Sequence, residues 1–372
     1  MTANEIRVWI YFLLMIFTLS MIVTLFTGRY QNVYHGPVYF IYIYLIIAAL
    51  LLLGAFTPFF IYLKYGREPK INYDAKYETD LPTDDPPAIV NAICGDDFSK
   101  KVGIPNINGF KATIMDLIDR NYLLLKDMQT DNENLDSSAP IFLEINPNND
   151  LTALWDFEAR VLNFLESYEQ DGVISMEMVS ESLNYSNSAE FFKSTYEKWV
   201  DEVKQTLFED GKLKEAFLRK GDKYLKIFGI LGLIIAALTL LFITGDPVPT
   251  APYVSISSII LGVSALISIL MPEKIAGQWT TYGKEYYAQW HNFKNYIKDY
   301  SLIKEYSPKS VNVWNRYLVY ATALGSADGV KKAMELSLPE CTLSETDLYM
   351  LHYYDSPMAL LKNTIDTALE PD

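Results

Sequence analysis

Four stretches of the chain carry no Asp, Glu, Lys or Arg for long enough to cross a bilayer: Val8–Gly28, Tyr30–Leu63, Ile227–Gly245 and Pro247–Pro272. A spanning helix needs about 20 apolar residues at about 1.5 Å of rise each. That predicts helices near Val8–Thr27, Val38–Leu63, Ile227–Thr244 and Tyr253–Leu270. None shows the polar face of a helix packed on a soluble core. The second is long enough to tilt or to project beyond the lipid. The first is flanked by Glu5 and Arg7 rather than a basic cluster, and no small-x-small site follows before Arg29. Its apolar run also outlasts that of a signal peptide, so it reads as an uncleaved anchor.

Basic residues beside the spans set their orientation. Lys64, Arg67, Lys70 and Lys76 follow the second span, and Lys274 and Lys284 follow the fourth. Lys212, Lys214, Arg219, Lys220, Lys223 and Lys226 precede the third. The link Gly245–Pro252 holds Asp246 and no basic residue, while the loop near Tyr30–Pro37 has Arg29 alone beside it. Both hairpin loops are therefore predicted to face outward, with both termini and the large middle segment in the cytoplasm. The expectation is a multi-pass protein of the cell membrane. Gly232 with Ala236, and Ser258 with Gly262, stand at the small-xxx-small spacing that lets helices approach closely in lipid. They are candidate helix–helix packing positions, within one chain or between copies, and ordinary small residues on the other reading. Spans without ionisable side chains argue against a pump or transporter.

Between the hairpins the periodicity changes. Pro86-Pro87 introduces a helix through Cys94, since proline suits a first helical turn. Phe110, Ile114, Leu117 and Ile118 mark a second helix from Gly109 to Asn121. Strands follow at Tyr122–Lys126 and Ile141–Ile145, separated by the polar stretch Asp127–Pro140. Helices followed by a two-stranded ribbon make a winged-helix pattern. A second such unit is expected from Asp150, with Leu154, Phe157, Val161, Leu162 and Leu165 on one helix. Ser175 caps a short helix through Leu183, and Ser188 caps a long one carrying Phe192, Tyr196, Trp199, Val203 and Leu207. Beyond the fourth span, Trp279, Tyr282, Tyr286, Trp290, Phe293 and Ile297 predict an aromatic amphipathic helix whose stripe is core. Val311, Trp314, Leu318 and Ala321 predict another that stops at Gly325, and Ser326–Met334 begins a short one before an acidic tail. The fold class is thus a mainly α membrane protein, with four transmembrane helices and a cytoplasmic α+β region of winged-helix-like units. Its segments are an N-terminal hairpin (1–63), two winged-helix-like units (64–149 and 150–226), a second hairpin (227–271) and C-terminal helices with the tail (272–372).

Charge narrows the function. The chain of 372 residues has 31 Lys and Arg against 46 Asp and Glu, a net charge of −15. The helix that would read a DNA groove carries Lys111, Thr113, Asp116, Asp119 and Arg120, whose charges cancel, and its wing is acidic. Nucleic acid is therefore disfavoured, because phosphates and base edges call for Arg and Lys. Lys100, Lys101 and Lys111 would have to converge to reverse that reading. Two cysteines, Cys94 and Cys341, and three histidines cannot build a disulfide framework or a multi-histidine metal site. Phosphate-loop, dinucleotide, nucleophile-elbow and zincin motifs are all missing. No catalytic, cofactor or metal residue is assigned. The expected role is a non-enzymatic scaffold or adaptor that presents a cytoplasmic surface to protein partners, a second copy among them, within the lipid bilayer. The competing reading is a membrane-tethered winged-helix transcription regulator.

Tyr62-Leu63-Lys64-Tyr65-Gly66-Arg67-Glu68-Pro69-Lys70 resembles the membrane exit of the YciQ-like predicted membrane proteins, catalogued as domain of unknown function 2207. Three further pieces agree in order: Pro86-Pro87-Ala88, the block Ala112–Leu123, and Trp314-Asn315-Arg316-Tyr317-Leu318-Val319-Tyr320-Ala321-Thr322-Ala323-Leu324-Gly325. The family-like positions are Tyr65, Gly66, Arg67 and Pro69 in the first, and Tyr317, Leu318, Tyr320, Ala321, Leu324 and Gly325 in the last. The resemblance spans roughly residues 55–336. It implies an extracytoplasmic β-rich domain, one span, a cytoplasmic region, a two-span hairpin and a C-terminal helical segment, with no catalytic residue to carry over. Here a second span stands where the extracytoplasmic domain is expected, so a sensing role through such a domain would need a separate chain.

Overall fold

The computed structural model describes residues 36–95, 101–126, 141–209, 211–299, 302–303, 310–338 and 348. In chain order it begins with α1 (Tyr39–Ala55), α2 (Thr57–Tyr65), α3 (Pro87–Cys94) and α4 (Ile107–Asp119). Strands β1 (Leu123–Lys126) and β2 (Phe142–Ile145) follow, then α5 (Asp156–Glu166), β3 (Glu169–Gln170) and β4 (Val173–Ser175). Next come α6 (Met176–Ser182), α7 (Ser186–Glu209), β5 (Phe217–Leu218), α8 (Lys220–Ile243) and α9 (Ala251–Leu270). The described chain closes with β6 (Gln278–Trp279), α10 (Thr281–Lys298), α11 (Val311–Ala323) and α12 (Ala327–Ser337). Two compact units result, one of Met1–Pro69 with Phe217–Thr280 and one of Lys70–Ala216 with Thr281–Asp372.

Three helical stretches of the first unit are long and apolar enough to cross a membrane: Tyr39–Tyr65, Lys220–Ile243 and Ala251–Leu270. The first predicted span, Val8–Thr27, lies outside the described residues. Helices α1 and α2 run on through Phe56, and the interruption has a local cause. Pro58 at the start of α2 has no N–H for the carbonyl one turn earlier. Helix α8 starts at Lys220 rather than Ile227, because Lys220–Lys226 adds two polar turns below the apolar run. Leu233, Ala236 and Leu240 of α8 pack on Ala265 of α9, and Ala48 of α1 packs with Ile243, Ala251 and Val254. Polar clips add to this packing. Ser264 Oγ donates to the Ala55 carbonyl at 2.7 Å, and Tyr44 Oη donates to Asp246 Oδ2 at 2.6 Å. Strand β5 pairs antiparallel with β6 (Phe217↔Trp279), so Trp279 belongs to this ribbon and not to the aromatic helix expected to begin there.

In the second unit α4 is buried along almost its whole length. Asn121 then takes φ 60°, and Tyr122 N–H donates to Leu117 O at 2.8 Å, which ends the helix and launches β1. Strands β1 and β2 pair antiparallel, Leu123↔Ile145, as the apolar runs predict. They do not stand alone as a wing. The sheet has the order β1-β2-β4-β3, and β3–β4 is a hairpin turned by Asp171-Gly172, both at positive φ (52° and 81°). That is the two-residue turn Asp-Gly favours. The stretch Asp127–Pro140 lies outside the described residues. Helix α11 packs on α4 and α3, and the buried rings of Trp290, Phe293, Tyr317 and Tyr320 form the centre of the unit. Gly325 at φ 66° lets Ser326 N–H reach Ala321 O at 2.7 Å, closing α11 where the sequence predicts its end.

Candidate functional site

The second unit holds a cavity of about 270 Å³ whose wall comes from five separate parts of the chain. Asp84, Asp85 and Pro86 form one side just before α3. Helix α4 and its C-cap supply Asp116 and Arg120, one turn apart and so on one face. Trp155 and Glu158 stand at the start of α5, Thr206 on α7, and Arg316 with Tyr320 on α11.

These groups form a continuous ionic network. Asp116, 3% exposed, accepts Arg316 Nη1 on Oδ1 at 2.5 Å and faces Arg120 Nε from Oδ2 at 2.8 Å. Arg120 reaches on to Glu158 Oε1 at 2.6 Å, and Arg316 to Asp119 Oδ2 at 3.2 Å. The other oxygen of Glu158 accepts the Trp155 N–H at 3.1 Å, capping α5. Arg316 Nη2 donates to Tyr320 Oη at 3.0 Å, and that hydroxyl donates to the Asp85 carbonyl at 2.8 Å. Burial pushes the carboxyl groups of Asp119 and Glu158 above the usual carboxylate range, while Arg316 and Arg120 respectively pull them back. Burial works against the Arg316 charge, but facing Tyr320 and Asp116 outweigh it, so its pKa lies above that of a free arginine. The Tyr320 hydroxyl is raised by burial.

Four carboxylates line the cavity against two guanidinium groups, leaving it negative by two charges. Asp84 is exposed at its rim, and Trp155 keeps half its surface open (51%). An aromatic face beside surplus carboxylate suits a cation on an aliphatic stem. The Thr206 hydroxyl donates to the Glu202 carbonyl at 3.0 Å. Among the described residues no group of three or more His, Cys, Asp or Glu has metal-holding geometry.

The structure divides the sequence-derived positions between the two units. Tyr317 donates to the Thr79 carbonyl, and Leu318, Ala321 and Leu324 are fully buried in the second unit. The Leu324 carbonyl accepts Lys294 Nζ at 2.6 Å, a cation at a helix C-terminus. Tyr65, Gly66, Arg67 and Pro69 lie in the first unit. A Cβ on Gly66 would stand 2.6 Å from the Tyr62 ring, and the Arg67 carbonyl accepts Gln278 Nε2 at 2.7 Å. Gly232 lies against Ala265, where an added Cβ would come within 2.9 Å of the alanine methyl. Ala236, Ser258 and Gly262 are buried within the described helices. The aromatic stripe Tyr286, Trp290, Phe293 and Ile297 is core, whereas Tyr282 is 43% exposed. Trp155 and Glu158 lie outside the positions that stand out in the sequence, although a Glu three residues after a helix-entry position is a capping signal. Nothing local in the sequence pairs Asp116 with Arg316, which are 200 residues apart.

The family described as "predicted membrane protein (DUF2207) C-terminal domain" matches residues 74–334. No curated protein and no solved structure matches the chain.

Proposed function

Since the chain belongs to the predicted membrane protein family with the DUF2207 C-terminal domain, we propose that it is a multi-pass scaffold or adaptor of the cell membrane. On this reading it has four spans and cytoplasmic termini, and its second unit captures a basic segment of a protein partner in the cavity beside Trp155. One observation carries the proposal: four carboxylates and an exposed tryptophan surround a space with two arginines, and both arginines are already engaged by buried acids. An incoming lysine or arginine would meet Asp84 and Asp85 at the rim and lay its aliphatic stem on Trp155.

Transcription control has no comparable support. The helix that would enter a DNA groove, α4, is buried by its neighbours, and its Arg120 is held by Asp116 and Glu158. The test is binding of fluorescent lysine- and arginine-rich peptides to the purified full-length chain, with neutral peptides and duplex DNA in parallel. Basic peptides should bind, more weakly as salt rises, and the Asp84→Asn/Asp85→Asn and Trp155→Ala variants should lose that binding. Equal affinity for neutral peptides, or salt-sensitive retention of DNA, would defeat the adaptor reading.

A further inference from the structure

The first unit carries a second charged feature, of opposite sign. Its described residues hold seven basic side chains and four acidic ones, in a chain whose net charge is −15. Apart from Asp246, these charges gather at the end of the bundle where α2 finishes and α8 begins. The fold brings three distant stretches together there. A Cβ on Gly221 of α8 would collide with the Ala276 carbonyl and stand 3.1 Å from that of Tyr65. The rings of Tyr65 and Tyr224 lie 5.0 Å apart, and Gln278 holds the Arg67 carbonyl. Two ion pairs are internal to this end: Arg219 with Glu273 at 2.7 Å and Lys226 with Asp222 at 2.6 Å. Outside those pairs stand Lys64, Arg67, Lys220, Lys223 and Lys274, and the first four are exposed. Exposed apolar and aromatic side chains border them, among them Tyr62, Tyr224, Leu218 and Ile275.

We propose that this end of the bundle is a collar for anionic phospholipid headgroups, so that acidic lipids form the first shell around α2 and α8. The arrangement joins the two elements such a surface needs. Lys and Arg attract the phosphate layer, and tyrosines beside them sit at the level where hydrocarbon meets headgroups. Charge complementarity favours lipid over a protein or nucleic-acid occupant, because the basic groups ring apolar helices at the boundary of their charge-free segments. The opposite end of the bundle holds Asp246, which is bonded to Tyr44.

The experiment is reconstitution of the full-length chain in phosphatidylcholine nanodiscs doped with phosphatidylglycerol. First-shell occupancy is read from spin-labelled phosphatidylglycerol relative to spin-labelled phosphatidylcholine. The expected result is preferential occupancy by the anionic lipid that weakens as salt rises. The Lys64→Gln/Lys220→Gln/Lys223→Gln variant should reduce that preference on the order of tenfold or more, while the matching arginine variant keeps it. A wild-type chain showing no preference, or a glutamine variant indistinguishable from it, would overturn the proposal. So would loss of preference in the arginine variant, because charge is then not its basis.

Discussion

Removing Arg316 tests whether the ionic network holds the second unit together. Arg316→Ala takes away the 2.5 Å partner of Asp116, the 3.2 Å partner of Asp119 and the donor to Tyr320 at 3.0 Å. Asp116 keeps Arg120, but Asp119, whose side chain is 12% exposed, loses its ion-pair partner beside the Asp116 carboxylate. Breaking a buried pair from one side typically costs 3–5 kcal/mol. Arg316 is itself 30% exposed, so water replaces part of the lost interaction and about 3 kcal/mol is the reasoned figure. For a unit of this size that corresponds to a Tm drop of roughly 6–12 °C. The pH dependence identifies the cause. An acid whose folded pKa is raised binds its proton more tightly in the native state, so its burden on stability is absent below its unfolded pKa and grows as pH rises through the raised value. Asp119 already stands on that side, and loss of Arg316 drives it further. The penalty of Arg316→Ala should therefore shrink as pH falls into the carboxylate range, and adding Asp119→Asn should recover part of it at neutral pH. The assay is thermal unfolding of the full-length chain across pH, with a double-mutant cycle for the pair. A penalty below about 1 kcal/mol, or one independent of pH, would refute the reasoning.

Three further outcomes follow. Gly325→Ala puts a Cβ at φ 66° and should cost about 1–2 kcal/mol in thermal unfolding; no change would mean that α11 closes without its left-handed residue. Gly232→Val pushes into Ala265 and should destabilise the α8–α9 pair by about 1–3 kcal/mol, whereas Leu231→Val, 55% exposed, should do so much less; equal effects would contradict the packing. In intact cells an impermeant thiol reagent should reach Pro249→Cys and not Met178→Cys, and labelling of both from one side would rule out the proposed topology.

What the sequence makes legible follows from how local each signal is. The described spans are legible because an uncharged run of about 20 residues has few other uses in a protein. Helix α4 and strands β1 and β2 are legible because their apolar positions repeat at helix or strand spacing within one window. Strands β3 and β4 have two and three residues, too few for a period to register, yet Asp171-Gly172 was a readable hairpin signal. The start of α8 is displaced because Lys220–Lys226 is helical without being apolar. The cavity was not legible at all. Its charges come from positions 84, 85, 116, 120, 158 and 316, and each looks like a solvated surface residue until α11 is laid on α4. Arg316 and Tyr320 were visible as part of the family-like stretch Trp314–Gly325, without the reason that one pairs Asp116 and the other reaches the Asp85 carbonyl.

The most direct test of the adaptor reading places a photo-crosslinking amino acid at the exposed Ala153, two residues before Trp155, in intact membranes and identifies the peptide it captures. The account predicts a protein adduct whose crosslinked segment is rich in lysine or arginine, whether from another protein or from a second copy of the chain. It also predicts that this adduct disappears in the Asp84→Asn/Asp85→Asn background. An adduct with a neutral or acidic segment, or one that survives loss of those carboxylates, would contradict it.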